Sequence, residues 1–171
     1  MRTNTLPADD PSRQLTITGP ADPAARRFFL AGDTYTILVS GTDTAGRYCL
    51  IDMVVPDGGG PATHRHDFEE LFTLLDGELE FTFRGETRIV TAPASVAIPA
   101  NSPHAFRNGS GRPAHMLCLC APAGQEAFFA AVGDPLDGPN AMPPIMDAAA
   151  IAGKAALIRR LAPAYRTEIL D

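Results

Sequence analysis

The sequence predicts an all-β fold, a sandwich or a barrel, that is followed by short C-terminal helices. Two patterns carry this prediction. From Leu15 onward, short apolar runs recur between turn signals, which is typical of a series of short strands. From Gly124 onward, the apolar residues recur with a helical period instead. The length of 171 residues favours one domain, and such a domain buries roughly 70% of the surface that its unfolded chain exposes.

We expect three segments along the chain. Residues 1–14 are polar and rich in Pro, Asp and Thr, so they are predicted to form a flexible N-terminal segment. Residues 15–122 form the predicted β domain. Residues 123–171 form a predicted C-terminal helical extension.

The clearest strand of the β domain is residues 78–83. Apolar and polar residues alternate there without a break, so Leu79, Phe81 and Phe83 are predicted to face inward. The Asp76-Gly77 pair just before this strand is a strong signal for a two-residue hairpin. Further strands are predicted at residues 35–39, 48–55, 69–75, 87–90, 95–98, 104–106 and 114–120.

The helical extension contains two predicted helices. The first covers residues 124–132 and ends at Gly133. A linker with four prolines follows at residues 134–144. Asp147 is expected to cap the second helix, which runs to about Ala162 and presents Ile151, Ala155 and Ile158 as an apolar stripe. We expect this helix to lie against the outside of the barrel or against a second subunit.

Charge and hydropathy exclude several functions. The net charge of -6 and the isoelectric point of about 5.1 argue against a nucleic-acid partner, because no basic patch is present to displace counterions. No apolar run approaches the ~20 residues that span a bilayer, and residues 1–13 show no signal peptide. We therefore expect a soluble, cytoplasmic protein with no membrane partner. Gly58-Gly59-Gly60 is predicted to be a turn rather than a phosphate-binding loop, because neither a helical pattern nor Lys-Ser/Thr follows it.

The three cysteines do not form a disulfide framework. Cys118 and Cys120 are two residues apart on one predicted strand, and Cys49 lies in another apolar strand. We expect all three to be buried, reduced thiols that pack as small apolar side chains.

Three of the four histidines stand with a glutamate at a spacing that can close a metal site. His64 and His66 are two residues apart, so on an extended strand both side chains leave the same face. Glu70 follows after a short bend, and His104 lies on a separate predicted strand. Imidazole and carboxylate ligands suit iron, manganese, nickel, copper or zinc. Such a ligand set leaves about two positions open on an octahedral ion for water, dioxygen or a bidentate substrate.

The order of these residues resembles the sequence motifs of the cupin superfamily. Gly58, His64, His66, Glu70 and Gly77 match every fixed position of the first motif. For the second motif, the matching residues at the expected spacing are Pro99, His104 and Asn108.

The second motif departs from the family pattern at two positions. Pro93 stands where the motif begins with Gly, and Asn101 replaces the Gly after Pro99. Because Asn tolerates a left-handed conformation, Asn101 can keep its turn. Proline cannot take a positive φ, so the turn at Pro93 must be built differently. Neither departure removes a ligand.

The resemblance covers roughly residues 34–121 and implies an antiparallel double-stranded β-helix, the jelly roll of the cupin barrel. It implies a divalent metal inside the barrel that is bound by His64, His66, Glu70 and His104. Homodimers are implied as well. Segments such as Arg27-Phe28-Phe29 further resemble single-domain bacterial cupins grouped as quercetin dioxygenase-like.

Residues near the ligands are candidates for substrate binding. Phe72 and Phe106 share the strand parity of Glu70 and His104, so they either line the cavity or pack in the core. Tyr48 can donate a hydrogen bond in a pocket, although parity alone does not tell which face it occupies.

Glu70 is preferred over Glu69 as a ligand, because it shares the parity of apolar residues that suit the interior. Glu70 is either a ligand alone or also a general base that accepts a substrate proton. His115 is expected at the surface or satisfied by a neighbour rather than as a further ligand. Asp67 either orients an imidazole or is a solvated loop carboxylate.

The predicted function is a metal-dependent dioxygenase that acts on a small enolisable or phenolic substrate chelated to the ion. Three alternatives remain open. The protein could be a small-molecule binding or sensing module, a metal-dependent isomerase or hydrolase of a sugar or keto acid, or a cupin without activity. The isomerase alternative calls for several cationic side chains in the barrel, and Arg84, Arg88 and Arg107 are the candidates.

Overall fold

The computed structural model describes residues 6–170, and these residues form a β-sandwich with a helical C-terminal segment. The strands are β1 (Arg27–Leu30), β2 (Asp33–Val39), β3 (Cys49–Val55), β4 (His64–His66), β5 (Glu69–Asp76), β6 (Glu78–Phe83), β7 (Glu86–Thr91), β8 (Ala94–Ile98), β9 (His104–Arg107), β10 (Ala114–Ala121), β11 (Asp134–Pro135) and β12 (Thr167–Ile169). The helices are α1 (Gln125–Val132) and α2 (Ala148–Leu161), and a short 3₁₀ turn, Ala162–Tyr165, follows α2.

The strands form two antiparallel sheets, which confirms the predicted jelly roll. One sheet has the strand order β11-β1-β2-β3-β10-β5-β8, and the other has the order β12-β4-β9-β6-β7. Alternating side chains of both sheets fill the space between them, and Leu79 and Phe81 are buried there as the sequence predicts. Phe83 is partly buried against the same core.

The hairpin prediction at Asp76-Gly77 is wrong. β5 pairs with β8 and β10, whereas β6 pairs with β7 and β9, so the chain passes here from one sheet to the other. Gly77 has a φ of 88°, and a Cβ at this position would lie 2.9 Å from the Cα of Ala114. Glycine is therefore required both by the backbone conformation and by the close approach of Ala114, the first residue of β10.

The prediction for Asn101 is confirmed. Its φ is 66°, in the left-handed region, and its backbone N–H donates to the carbonyl of His66. The turn at Pro93 contains a cis Ala92–Pro93 peptide bond.

The second helix, α2, packs against α1 and the 3₁₀ turn, and none of its residues is buried. Asp147 caps α2, because its Oδ1 accepts from the backbone N–H of Ala150. Ala155 and Ile158 line a cavity that strand residues such as Phe72 also line, whereas Ile151 is exposed. Beyond α2, β12 pairs with β4 and completes the smaller sheet. Neither helix in residues 6–170 is long and apolar enough to cross a membrane.

Candidate metal centre and cavity

The fold brings the four predicted ligands together. His64 and His66 project from β4, and His104 lies on β9 directly across from His64. Glu70 comes from β5 in the other sheet, so the cluster joins the two layers. One ligand atom from each residue lies within 4.8 Å of all the others, and all four side chains are buried.

Backbone carbonyls fix the orientation of each imidazole. The Nδ1 atoms of His64, His66 and His104 lie 2.9, 2.9 and 2.8 Å from the carbonyl oxygens of Ala62, Phe68 and Ser102. Because a carbonyl only accepts, each Nδ1 carries a proton, so Nε2 is the ring atom that can bind a metal at the centre of the cluster. Such backbone contacts are the usual second contact of histidines that bind metals.

The donor set fits a divalent cation. The Nε2 atoms of His66 and His104 each lie 3.1 Å from the same carboxylate oxygen, Glu70 Oε2. These acceptors repel one another unless protons or a cation lie among them. A metal ion satisfies all of them at once.

The ionisation of the cluster also suits metal binding. Burial alone would raise the pKa of Glu70, but contacts with His104 and His66 outweigh burial and hold it well below its usual range. Burial, with the neighbouring His104, lowers the pKa of His64 to about 4. At neutral pH, the carboxylate is therefore ionised and His64 is neutral, as ligation requires.

A cysteine contact with the cluster was missed at the sequence level. Cys118 donates to Oε1 of Glu70 at 3.2 Å, and the Sγ of Cys120 lies 3.5 Å from that of Cys118. Burial raises the pKa of Cys118 to about 12, so its thiol keeps the donor proton. Cys49, Cys118 and Cys120 are buried and free, as predicted. Strand parity placed Cys118 and Cys120 on one face, but only the cross-strand register reveals that this face meets Glu70.

The cluster opens on one side into a cavity of about 220 Å³. His64 and Glu70 line this cavity, whereas His66 and His104 are not among its lining residues. Most of the wall is apolar or aromatic, and its helical side comes from α1 and α2. The aromatic lining residues are Tyr35, Phe72, Phe106, Phe128 and Phe129.

The three predicted substrate-binding residues separate into two groups. Phe72 and Phe106 line the cavity, and their ring centroids lie 5.5 Å apart. Tyr48 does not line it. Its side chain is 41% exposed in the turn before β3, outside the alternation that directs side chains inward.

The tyrosine at the cavity is Tyr35, on β2. Its hydroxyl donates to Asp33 Oδ2 at 3.1 Å, and its ring packs 4.2 Å from that of Phe129. Burial raises the pKa of Asp33 to about 7. The inward parity of residue 35 was a usable signal, because residues 35 and 37 are both buried on β2.

Other polar residues have roles outside the cavity. Glu69 is exposed, in agreement with the preference for Glu70. His115 is satisfied by Asp52, with Nε2 and Oδ2 2.6 Å apart. Asp67 forms an ion pair with Arg166 at 2.7 Å, so the alternative in which it orients an imidazole is wrong.

The candidate cationic residues are also directed elsewhere. Arg84 donates to Ser102 Oγ and packs over the ring of Phe83. Arg88 and Arg107 are exposed on their strands. Within residues 6–170, Arg159 is the one arginine that lines the cavity.

Two antiparallel sheets around three histidines and a glutamate define a jelly-roll protein with a candidate metal centre. A family model described as "Cupin domain" matches residues 51–120, a range that includes all four residues. Over this range the chain is similar to the cupin superfamily, in agreement with its sequence motifs.

The chain is similar in sequence to quercetin 2,3-dioxygenase of Bacillus subtilis (strain 168). The two are 27% identical over 111 residues, which is 64% of this chain and 33% of the dioxygenase. The chain thus spans about a third of the length of the curated relative that it matches.

Two solved structures share the fold. The polyketide cyclase RemF from Streptomyces resistomycificus has a TM-score of 0.56 and 24% identity, over 63% of this chain and 80% of the cyclase. An RmlC-like cupin from Shewanella frigidimarina has a TM-score of 0.56 and 13% identity, over 67% of this chain and 96% of that cupin.

Proposed function

We propose that this protein is a metal-dependent dioxygenase whose substrate is a small enolisable or phenolic compound that chelates the ion. The one-sided opening of the ligand cluster carries the proposal. His64 and Glu70 face an apolar cavity, so a bound ion would meet the substrate there and would be closed off elsewhere by protein. A structural zinc site would instead be closed on all sides, usually by cysteines.

A divalent transition ion on these four residues would supply a Lewis acid with open positions for a chelating substrate and, if it is redox-active, for dioxygen. The residues around the ion would orient the substrate and limit the access of water to it. Phe72 and Phe106 line the cavity and would help to exclude water from it once a substrate is bound. Water exclusion strengthens every charge interaction with a bound substrate.

Glu70 is the candidate acceptor for a substrate proton. Within residues 6–170, it is the one carboxylate that lines the cavity. Its lowered pKa keeps it ionised at neutral pH, which is the form that accepts a proton. The same low pKa makes it a weak base, so its first role is that of a ligand.

The cavity limits the size of the substrate. Its volume of about 220 Å³ is below the range of roughly 300–1,000 Å³ that holds drug-sized ligands. A single-ring compound fits this space better than a three-ring flavonol. The similarity to quercetin 2,3-dioxygenase therefore supports the type of chemistry and not that substrate.

Non-redox chemistry at the same enolate is the second candidate. The apolar wall favours it over a sugar or keto-acid isomerase, because anionic substrates call for several cations and Arg159 is the one arginine among the lining residues described. An enolate held by a Lewis acid can isomerise or cyclise without dioxygen. The two candidates differ in whether oxygen is consumed.

The test begins with the metal content of protein purified without added metal. Protein loaded in turn with iron, manganese, nickel, copper and zinc is then incubated with single-ring enols and phenols, with and without air. Oxygen uptake supports the dioxygenase, and product formed without oxygen supports the non-redox candidate. Binding without turnover supports a sensing module. Failure to bind any metal overturns the proposal.

Two matched variants complete this test. His64→Gln removes a candidate ligand, whereas His115→Gln changes the histidine that pairs with Asp52 outside the cavity. We expect the first to lose metal and turnover and the second to keep both. Equal effects would contradict the assignment of the centre.

A further inference from the structure

Two cysteines share one oxygen of Glu70. The Sγ of Cys118 lies 3.2 Å from Glu70 Oε1, and the Sγ of Cys120 lies 3.8 Å from the same oxygen. The two sulfur atoms are 3.5 Å apart. Because the other oxygen, Oε2, faces His66 and His104, the thiols form a second group of potential ligands that shares only Glu70 with the histidine cluster.

Hydrogen bonding accounts for one of these thiols and not for both. Cys120 pairs directly with Glu70 on β5, and Cys118, two residues before it, leaves the same buried face of β10. Cys118 alone satisfies Oε1 as a donor at 3.2 Å, whereas Cys120 is too distant from this oxygen to add much. The second sulfur is therefore in place for a purpose that a single hydrogen bond does not explain.

The cavity gives a small ion access to this group. Cys118 and Glu70 both line the cavity, and Cys120 is fully buried beside them. An ion that reaches Cys118 and Glu70 is already next to Cys120, because the three donor atoms are mutual neighbours. Such an ion lies among the donor atoms themselves and replaces the thiol protons, so it needs no further cavity.

The spacing of the three donor atoms fits a thiophilic ion. Bonds of the length that zinc forms, about 2.3 Å to sulfur and 2.0–2.2 Å to oxygen, hold donor atoms about 3.5–3.8 Å apart at tetrahedral angles. The observed separations are 3.2, 3.5 and 3.8 Å. An ion of this size would therefore move the donor atoms relative to one another by about half an ångström or less.

We infer that Cys118, Cys120 and Oε1 of Glu70 form a second cation site, which binds Cu⁺. Thiolates are soft ligands that select Cu⁺, whereas imidazole and carboxylate ligands suit divalent ions. Each thiol releases its proton to solvent when the ion binds. Without Cu⁺ the thiols stay protonated, and Cys118 donates to Glu70 as the structure shows.

The charges of the two sites balance when both are filled. Two thiolates and one carboxylate carry three negative charges, and one Cu⁺ with one divalent ion at the histidines carries three positive charges. Neutrality matters at this depth, because an uncompensated buried charge is strongly destabilising. Glu70 would then join the two ions, with one oxygen on each.

Competition with a chromogenic Cu⁺ chelator tests the site on the metal-free, full-length protein under reducing conditions without air. Cys120→Ala removes a ligand of the second site, whereas Cys49→Ala removes a buried thiol outside the group of three. We expect Cys120→Ala to weaken Cu⁺ binding at least about a hundredfold, because a direct ligand matters more than a residue that only orients one, whose loss costs 10–100-fold. Cys49→Ala should stay close to the wild type. No loss in Cys120→Ala, or an equal loss in both variants, overturns the inference.

X-ray absorption spectroscopy of the Cu⁺-loaded wild type identifies the ligands without any variant. We expect two sulfur neighbours for each copper. Copper with only nitrogen and oxygen neighbours would lie at the histidines, and this result overturns the inference.

His66→Gln separates this inference from the proposed function, because it removes a ligand of the histidine cluster alone. We expect the variant to lose divalent ions and to keep Cu⁺ on sulfur. If divalent ions bind to the wild type and Cu⁺ does not, the second site fails and the proposed function stands. If Cu⁺ binds on sulfur and no divalent ion binds, the proposed function fails and the second site stands.

Discussion

The thiol of Cys118 donates a hydrogen bond to Glu70, with Sγ and Oε1 3.2 Å apart. The two oxygens of this carboxylate therefore have different surroundings. Oε2 faces the Nε2 atoms of His66 and His104, whereas Oε1 faces sulfur. Because the contact is buried and its thiol stays protonated, it holds the carboxylate with Oε2 toward the histidines.

We predict that Cys118→Ala weakens metal binding about tenfold, since the loss of a contact that orients a ligand typically costs 10–100-fold in affinity. Cys118→Ser retains a donor and should recover most of the loss. The control is Cys49→Ala, which removes another buried cysteine whose thiol contacts Cys120 and not Glu70. Competition with a chromogenic chelator measures all the affinities. Equal affinities in Cys118→Ala and Cys49→Ala would show that the thiol does not orient the ligand.

Glu69 and Glu70 provide a matched pair of adjacent glutamates. Glu70→Gln should reduce the bound metal to less than half an equivalent, because a neutral amide replaces the one anionic ligand. Glu69→Gln changes an exposed residue and should keep the full equivalent. Elemental analysis after gel filtration measures both. A full equivalent of metal in Glu70→Gln would contradict the ligand set.

Bound metal should also raise the stability of the wild type. A ligand at a thousandfold excess over its dissociation constant stabilises the folded state by about 4 kcal/mol. We expect a chelator to lower the melting temperature of the wild type and of Glu69→Gln, and to leave that of Glu70→Gln almost unchanged. Calorimetric melting with and without EDTA measures the difference. An equal shift in all three proteins would mean that the stabilising ion binds elsewhere.

The sequence predicted which residues meet at the centre, because strand parity and motif spacing are local properties. It did not predict which residues surround them. Cys118 contacts Glu70 through the register of β10 on β5, and register is set by pairing between distant segments.

The errors at Asp76-Gly77 and Tyr48 have the same origin. A tight turn between two strand patterns has the same local signature whether the strands pair with each other or enter opposite sheets.

The three-residue strand β12 has no periodic pattern of its own, and its pairing with β4 defines it. The predicted strand includes Tyr48, whereas the observed strand β3 begins one residue later, at Cys49.

Gly77 and Gly111 isolate the effect of the close approach at the sheet crossing. Their φ angles are 88° and 77°, so alanine strains the backbone similarly at both positions. A Cβ at Gly77 would lie 2.9 Å from the Cα of Ala114, whereas a Cβ at Gly111 meets no atom within 4 Å. We predict that Gly77→Ala lowers the free energy of unfolding by about 1–3 kcal/mol more than Gly111→Ala does. Urea denaturation measures the free energy of unfolding of both variants. Equal losses would show that the close approach to Ala114 does not exclude a side chain at position 77.

Asp33 should make the metal-free protein less stable as the pH rises. Burial raises its folded pKa from 3.8 to about 7, so below pH 3.8 the acid is neutral in both the folded and unfolded states. Between these values the unfolded chain ionises while the folded protein stays protonated. The free energy of unfolding therefore falls as the pH rises and levels off once the pH passes about 7. The loss is about 1.4 kcal/mol for each pH unit that separates the folded pKa from the unfolded pKa.

Asp33→Asn tests this effect, because asparagine retains an oxygen for the Tyr35 hydroxyl but cannot ionise. In urea titrations of chelator-treated protein, we expect the free energy of unfolding of Asp33→Asn to rise relative to that of the wild type from pH 4 to pH 7. Above pH 7 the difference should stay constant. Asp137→Asn, at an exposed position, should follow the wild type throughout. A constant difference between Asp33→Asn and the wild type across this range would mean that Asp33 is ionised in the folded protein.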